Sequence, residues 1–303
     1  MRKFMRSSWS IRRNTVFSMD YLEYLKKSAS ERKSIVCFGI DPVIENIPAS
    51  LGDSTQERIV NFYAQIVDGA LQRSPSIAAL KPNYAYFAQY GFEGLQALYT
   101  IIKKYRGVLP IIFDGKRGDI GPSSAAYAKE AFEFWGADAL TISPYMGEDS
   151  MMPFVKYASA NGKGVYVLVR TSNPGAADFQ ELKTDARDKP VYLEVARKLM
   201  KMHFNGLGAV VGATDVDDLE RVMWELEHHE KVFPLLVPGV GTQGGSAKEV
   251  AKTLKTVSAQ TFQLHRINSS SAIAFAYKKT GSEDFVGAAL AQIDALNREI
   301  NLA

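Results

Sequence analysis

The sequence predicts an α/β chain, a single domain closed as a (β/α)₈ TIM barrel, and three observations lead there. Eight short apolar runs alternate with amphipathic helical stretches after Asp20. Several of the runs are rich in Val, Ile and Leu without strict alternation, as strands buried on both faces are. No linker, low-complexity tract or internal repeat marks off a second domain. Alternating strands and helices call for a parallel sheet with right-handed crossovers, and eight strands is the number that closes a barrel.

The elements follow in order. Ser34–Asp41 is the first strand, ending in Gly39-Ile40-Asp41-Pro42. A doubly wound open sheet, the rival architecture, usually has a glycine-rich dinucleotide turn at that point, and this chain has none. Thr55–Arg73 is helical and leads to the strand Ala78–Tyr84; Gly91–Tyr105 leads to Leu109–Asp114. Ser123–Trp135 precedes Ala137–Ser143, and Ser150–Ala160 precedes Gly164–Arg170. The next pairs are Pro190–His203 with Gly206–Gly212, Val216–Glu230 with Val232–Pro238, and Ala247–Val257 with Thr261–Asn268. A helix over Ala272–Lys279 and a last one near Glu283–Ile300 complete a domain running from 20 to 303.

Composition excludes several function classes. With 303 residues, 46% of them hydrophobic, the chain can bury a large core. No run approaches the roughly 18 apolar residues that a membrane helix needs. The net charge of +3 misleads: five of the 36 basic residues (Arg2, Lys3, Arg6, Arg12 and Arg13) fall in the first 19 positions, where there is no acid. The remaining 31 face 33 acids, so the body gives little support to nucleic-acid binding. Residues 1–19 share the Arg- and Ser-rich, acid-poor composition of organelle transit peptides. A disordered extension, or a true start at Met19, is the favoured account, with a cytoplasmic body. The lone Cys37 sits in the apolar run Ile35–Phe38 and reads as a core residue rather than a nucleophile.

The polar residues collect where a barrel builds its site, at the C-terminal ends of the strands. Strand one ends with Asp41, strand two with Lys81-Pro82-Asn83-Tyr84, and strand three with Asp114-Gly115-Lys116-Arg117-Gly118-Asp119-Ile120. Alternate strand residues share a face, so Asp114 and Lys116 point the same way and Asp119 lies beyond. Taken alone, this stretch also fits a surface turn with a salt bridge. Charges at the ends of buried strands are costly unless paired, which predicts Lys81 against Asp114 and Lys116 against Asp119. Strand five ends in Arg170-Thr171-Ser172-Asn173, and strand seven in Gly239-Val240-Gly241-Thr242-Gln243-Gly244-Gly245 ahead of a helix, a candidate phosphate cradle. His203, His228, His229 and His265 show no metal-ligand spacing, and no metal is expected. Tyr84, Tyr86, Phe87 and Tyr90 read as helix packing, and Glu148-Asp149 as acids supporting a helix start.

These segments resemble the orotidine 5′-phosphate decarboxylase family, in its larger bacterial-type subgroup. The matching motifs are Phe38–Pro42, Lys81–Ala85, Asp114–Gly121, Pro144–Asp149, Thr171–Gly175 and Val237–Gly245, in the family's order. The resemblance implies a cofactor-free, homodimeric barrel that converts orotidine 5′-phosphate to uridine 5′-phosphate (UMP) and carbon dioxide. It makes Lys116 the proton donor to C6, with Asp114 and Lys81 as supporting charges. Asp119, Ile120 and Ser123 match the segment that enters the neighbouring subunit's site. Asp41 and Asn83 would contact ribose or order the charges, Ser172 would read the pyrimidine amide, and Gln243 with Gly244 and Gly245 would hold the phosphate. One position departs: Ser271 stands where the subgroup has a phosphate-gripping arginine, which motivates a non-catalytic or weakened nucleotide-binding barrel as the alternative. A related sugar-phosphate decarboxylase would need magnesium and an acid on strand two, where this chain has Lys81.

Overall fold

The computed structural model describes residues 19–185, 187–227, 231–241 and 244–301; the expectations for residues 1–18, His228, His229 and Gln243 fall outside them. Eight parallel strands form one sheet: β1 Val36–Ile40, β2 Ala79–Pro82, β3 Ile112–Arg117, β4 Ala139–Ile142, β5 Gly164–Arg170, β6 Leu207–Val211, β7 Leu235–Val237 and β8 Arg266–Ser269. Their order is β2-β1-β8-β7-β6-β5-β4-β3. The bridges Leu80 to Ile111 and Asn83 to Asp114 join its two edges, so the expected barrel closes.

Among the described residues, twelve α-helices surround the strands: α1 Tyr21–Arg32, α2 Thr55–Leu71, α3 Tyr84–Ala88, α4 Gly91–Tyr105, α5 Gly121–Lys129, α6 Glu148–Ala160, α7 Val191–Lys201, α8 Val216–Glu227, α9 Ala247–Ser258, α10 Ser271–Ala274, α11 Ala276–Thr280 and α12 Phe285–Asn301. Asp20 opens α1 with a capping box in which Glu23 reciprocates. Glu148 and Asp149 occupy the first turn of α6, as their charge favours. None of the described helices is long and apolar enough to cross a membrane.

Two apolar layers hold the fold. The larger lies between the sheet and its helices. The smaller fills the barrel lumen with one residue from each of β1 to β7: Cys37, Ala79, Ile112, Ala139, Tyr166, Val210 and Leu236. Tyr21 and Leu25 of α1 join it and plug the N-terminal mouth. Burial pushes the Cys37 thiol up to about 12, which suits a core residue.

Several sequence expectations shift: the seventh strand is shorter than 232–238, and the helix expected at 123–135 passes from α5 into a π-helical stretch at Glu130–Phe134. The third strand begins after Pro110, which has no N–H for the ladder, and continues past Asp114 through a bulge to Arg117. The eighth strand starts late, because Phe262–Leu264 form a 3₁₀ turn. The expected helix 272–279 breaks at Phe275 into α10 and α11. The plug α1 carried no expectation.

Candidate active site

A cavity of about 500 Å³ opens at the C-terminal mouth of the barrel. Of the residues expected from the sequence, Asp41, Lys81, Asn83, Asp114, Lys116 and Ser172 all line it. They come from the ends of β1, β2, β3 and β5, so closure of the sheet is what gathers them.

The centre of the site is Asp114, 7% exposed, held between two ammonium groups. Lys81 Nζ donates to Oδ2 at 2.9 Å and Lys116 Nζ to Oδ1 at 2.7 Å. Thr141 on β4 donates its hydroxyl to the same Oδ1 at 2.8 Å and accepts the Lys116 backbone N–H at 3.0 Å. Burial pushes the Asp114 carboxyl upward, but Lys81 and then Lys116 outweigh it and hold it well below the usual carboxylate range. Burial likewise works against charge on Lys81, and Asp114 followed by Asp41 overcomes it, raising its affinity for the proton. Asp114 and Lys81 therefore stay ionised through neutral pH.

The two lysines are not equivalent. The Lys81 side chain is 5% exposed and that of Lys116 is 50% exposed, so although both line the cavity, the second is the more open to ligand and solvent. Lys116 also has φ of 44°, a left-handed backbone uncommon for a residue with a Cβ, and such strain gathers at functional positions. The bulge in β3 and the bond to Thr141 hold it there. Arg117 points the other way, paired with Glu130 and stacked 4.4 Å from the Tyr84 ring centre.

The expected pairing of Lys116 with Asp119 does not form; Lys116 turns inward to Asp114. Asp119 accepts its neighbour Ile120's N–H at 2.7 Å, and its carbonyl receives the hydroxyls of Ser124 and Ser150. Asp119, Ile120 and Ser123 lie outside this cavity, with Ile120 exposed and at the cap of α5. The glycine loop after β7 contributes Gly239 and Val240 to the wall. Gly244 and Gly245 stand off it, donating their N–H groups to Gly241 and Gly239 within the loop, each at 3.1 Å.

Ser271 lines the opposite side of the cavity with Ser270 and Asn268. Among the described lining residues, Lys81 and Lys116 are the only cations. Arg266 supplies none here: it is fully buried toward the N-terminal mouth, donating to the carbonyls of Leu25, Gln263 and His265. Thr141 was not foreseen from the sequence. Its signal was a hydroxyl inside the otherwise apolar strand Ala139-Leu140-Thr141-Ile142.

Cavity and charges together define an enzyme barrel in which a buried carboxylate organises one fixed and one accessible ammonium group. The profile of the orotidine 5′-phosphate decarboxylase / HUMPS family matches residues 35–281. The chain is 40% identical over 286 residues to the orotidine 5′-phosphate decarboxylase of Ralstonia pickettii, covering 93% of this chain and 98% of that one. Its fold superposes on Leishmania donovani OMP decarboxylase with a TM-score of 0.73 at 30% identity, covering 94% of this chain and all of the other. Leishmania donovani UMP synthase matches with a TM-score of 0.75 at 32% identity, and there the chain spans only 57% of the longer protein. The chain belongs to the orotidine 5′-phosphate decarboxylase / HUMPS family.

Proposed function

We propose that this chain decarboxylates orotidine 5′-phosphate to UMP and carbon dioxide, with Lys116 delivering the proton to C6. The observation that carries the assignment is Asp114, buried between Lys81 and Lys116 at 2.9 and 2.7 Å on the wall of a cavity large enough for a nucleotide. Loss of carbon dioxide leaves an electron pair at C6 with little delocalisation. An ammonium group already fixed beside that carbon stabilises the pair without reorganising and then protonates it. Lys116 is the accessible one, so it donates and recovers its proton from solvent. Lys81, shielded from solvent, keeps Asp114 charged and in place. Asp114 in turn aims Lys116 and disfavours a carboxylate seated beside it.

Ribose would lie against Asp41 and Asn83, and the pyrimidine amide against Ser172. Phosphate would rest on the Gly239–Val240 loop and the Ser270–Ser271 wall. These remote contacts supply binding energy that orients the ring for the chemical step. Asp119, Ile120 and Ser123 have no place in their own cavity, which supports a homodimer in which they complete the partner's site. The exposed Tyr145 and Met146 on the next loop offer apolar surface for that contact.

The test is the loss of orotidine 5′-phosphate absorbance on mixing, with and without a metal chelator. Lys116→Ala should abolish turnover while UMP still binds. Near-normal turnover in that variant would sink the assignment. Sensitivity to the chelator would favour a metal-dependent sugar-phosphate enzyme instead.

A further inference from the structure

Gln180 lies on the long connection between β5 and α7, residues 171–190, and does not line the cavity. Its carboxamide nevertheless holds the residue just before Ser172. Gln180 Oε1 accepts the Thr171 backbone N–H at 2.9 Å, and Nε2 donates to Thr171 Oγ1 at 2.8 Å. That hydroxyl donates onward to Asn173 Oδ1 at 2.7 Å. Both neighbours of Ser172 are therefore tied into one series of hydrogen bonds that starts at Gln180.

Gln180 is itself anchored. Its N–H donates to the Ala176 carbonyl at 2.8 Å, and its carbonyl accepts from Tyr192 of α7 at 3.0 Å. The next residue, Glu181, pairs with Arg170, whose Nε donates to Asp218 of α8 at 2.7 Å. Two consecutive residues thus reach back to two consecutive residues at the end of β5, closing the span between them into a ring. From the other side, Gly212 packs directly under Ser172: a Cβ there would stand 2.9 Å from the serine's N and Cα.

A connection of this length, built of the short turn Pro174–Asp178 and an isolated bridge between Lys183 and Pro190, has much backbone freedom to lose. A hydroxyl that reads a ring must be held to a fraction of an ångström by a supporting shell. The amide side chain offers an acceptor for Thr171 N–H and a donor for Thr171 Oγ1 on two separate atoms at once.

We propose that Gln180 is a positioning residue that holds Ser172 against the pyrimidine of the nucleotide. It rests on the reading of Ser172 as the ring contact. The experiment measures affinity for two probes, UMP and ribose 5-phosphate, the second of which has no ring to read. In Gln180→Leu, UMP should bind about tenfold more weakly, the scale of a polar group losing its partner. Ribose 5-phosphate affinity should be unchanged. Gln180→Glu, which keeps the acceptor for Thr171 N–H, should fall between, and the double variant with Ser172→Ala should bind UMP no worse than Ser172→Ala alone. Thr171→Val removes the hydroxyl half of the clip and gives the same readout if Gln180→Leu does not fold. Equal weakening of both probes, or no weakening, overturns the proposal while a selective Ser172→Ala effect leaves the serine's role standing. If Ser172→Ala itself shows no selectivity for UMP, the serine reading fails and the proposal falls with it.

Discussion

The two mouths of the barrel each bury a cation and treat it in opposite ways. At the C-terminal mouth Lys81 meets a carboxylate, Asp114, beside a cavity that admits a ligand. At the N-terminal mouth Arg266 meets three backbone carbonyls under a lid made by Tyr21 and Leu25, with the Tyr21 hydroxyl on that of Tyr166 at 3.1 Å. A carboxylate between two ammonium groups is a poised electrostatic device that any ligand charge perturbs. Neutral carbonyls around a guanidinium, sealed from water, only hold α1 to the barrel. The same fold thus spends its charge on chemistry at one end and on closure at the other, in keeping with the placement of active sites at the C-terminal face of such barrels.

That division is broken most directly at Asp114. Asp114→Asn removes the negative charge from between two lysines, and kcat should fall about 10²- to 10³-fold, the size seen when a preorganised electrostatic group is lost. Stability should also drop, by about 3–5 kcal/mol, because Lys81 is left buried and unpaired. Steady-state kinetics and urea unfolding read both; an active variant of unchanged stability would contradict the arrangement. At the other mouth, Tyr21→Ala should cost about 4 kcal/mol of stability, as large-to-small changes at buried aromatics do. Turnover per folded molecule should hold, since Tyr21 touches nothing in the cavity.

A smaller effect is set by pH. His265 is buried, its Nδ1 accepting the Leu235 N–H at 3.1 Å, and burial together with adjacent Arg266 pushes its imidazole down to about 3. Below an unfolded value near 6.5 the unfolded chain takes up a proton that the folded chain refuses. The stabilisation is thus complete above that pH and is lost as pH falls toward 3, by about 2 kcal/mol between pH 7 and pH 5. His265→Asn should remove this slope from the difference in urea stability at the two pH values; an unchanged slope would assign acid sensitivity elsewhere.

Most of the barrel was legible because eight apolar runs and the spacing of the helices between them are dictated by burial alone. The plug α1 was not, since its helix has few buried residues (Tyr21, Leu25, Ser28 and Ala29) amid charged ones, and its role appears only once the lumen exists. Asp114 and Lys116 on one face followed from the pleat. The partner of Lys116 did not, because a bulge and a left-handed residue turn it inward, and neither is written in local propensity. Thr141 and Gln180 were missed for a related reason: each acts through a residue distant in sequence, on another strand or across a loop.

The smallest expected effect concerns the wall that lacks charge. Ser271 begins α10 on the cavity rim, while Arg266, the nearest basic residue in sequence, is committed to the opposite mouth. A phosphate placed there meets hydroxyls and backbone rather than a guanidinium fork, which binds such groups with two parallel charge-assisted bonds. Ser271→Arg should therefore tighten UMP binding about tenfold, a charge-assisted hydrogen bond's worth, and lower KM for orotidine 5′-phosphate, while kcat changes little. Titration of UMP in low and moderate salt would show the gain shrinking as salt rises, as screening of a partly exposed pair demands. An unchanged KM and unchanged product affinity would mean that the wall already neutralises the phosphate by other means, and that the two ends of this cavity are less unlike than their charges suggest.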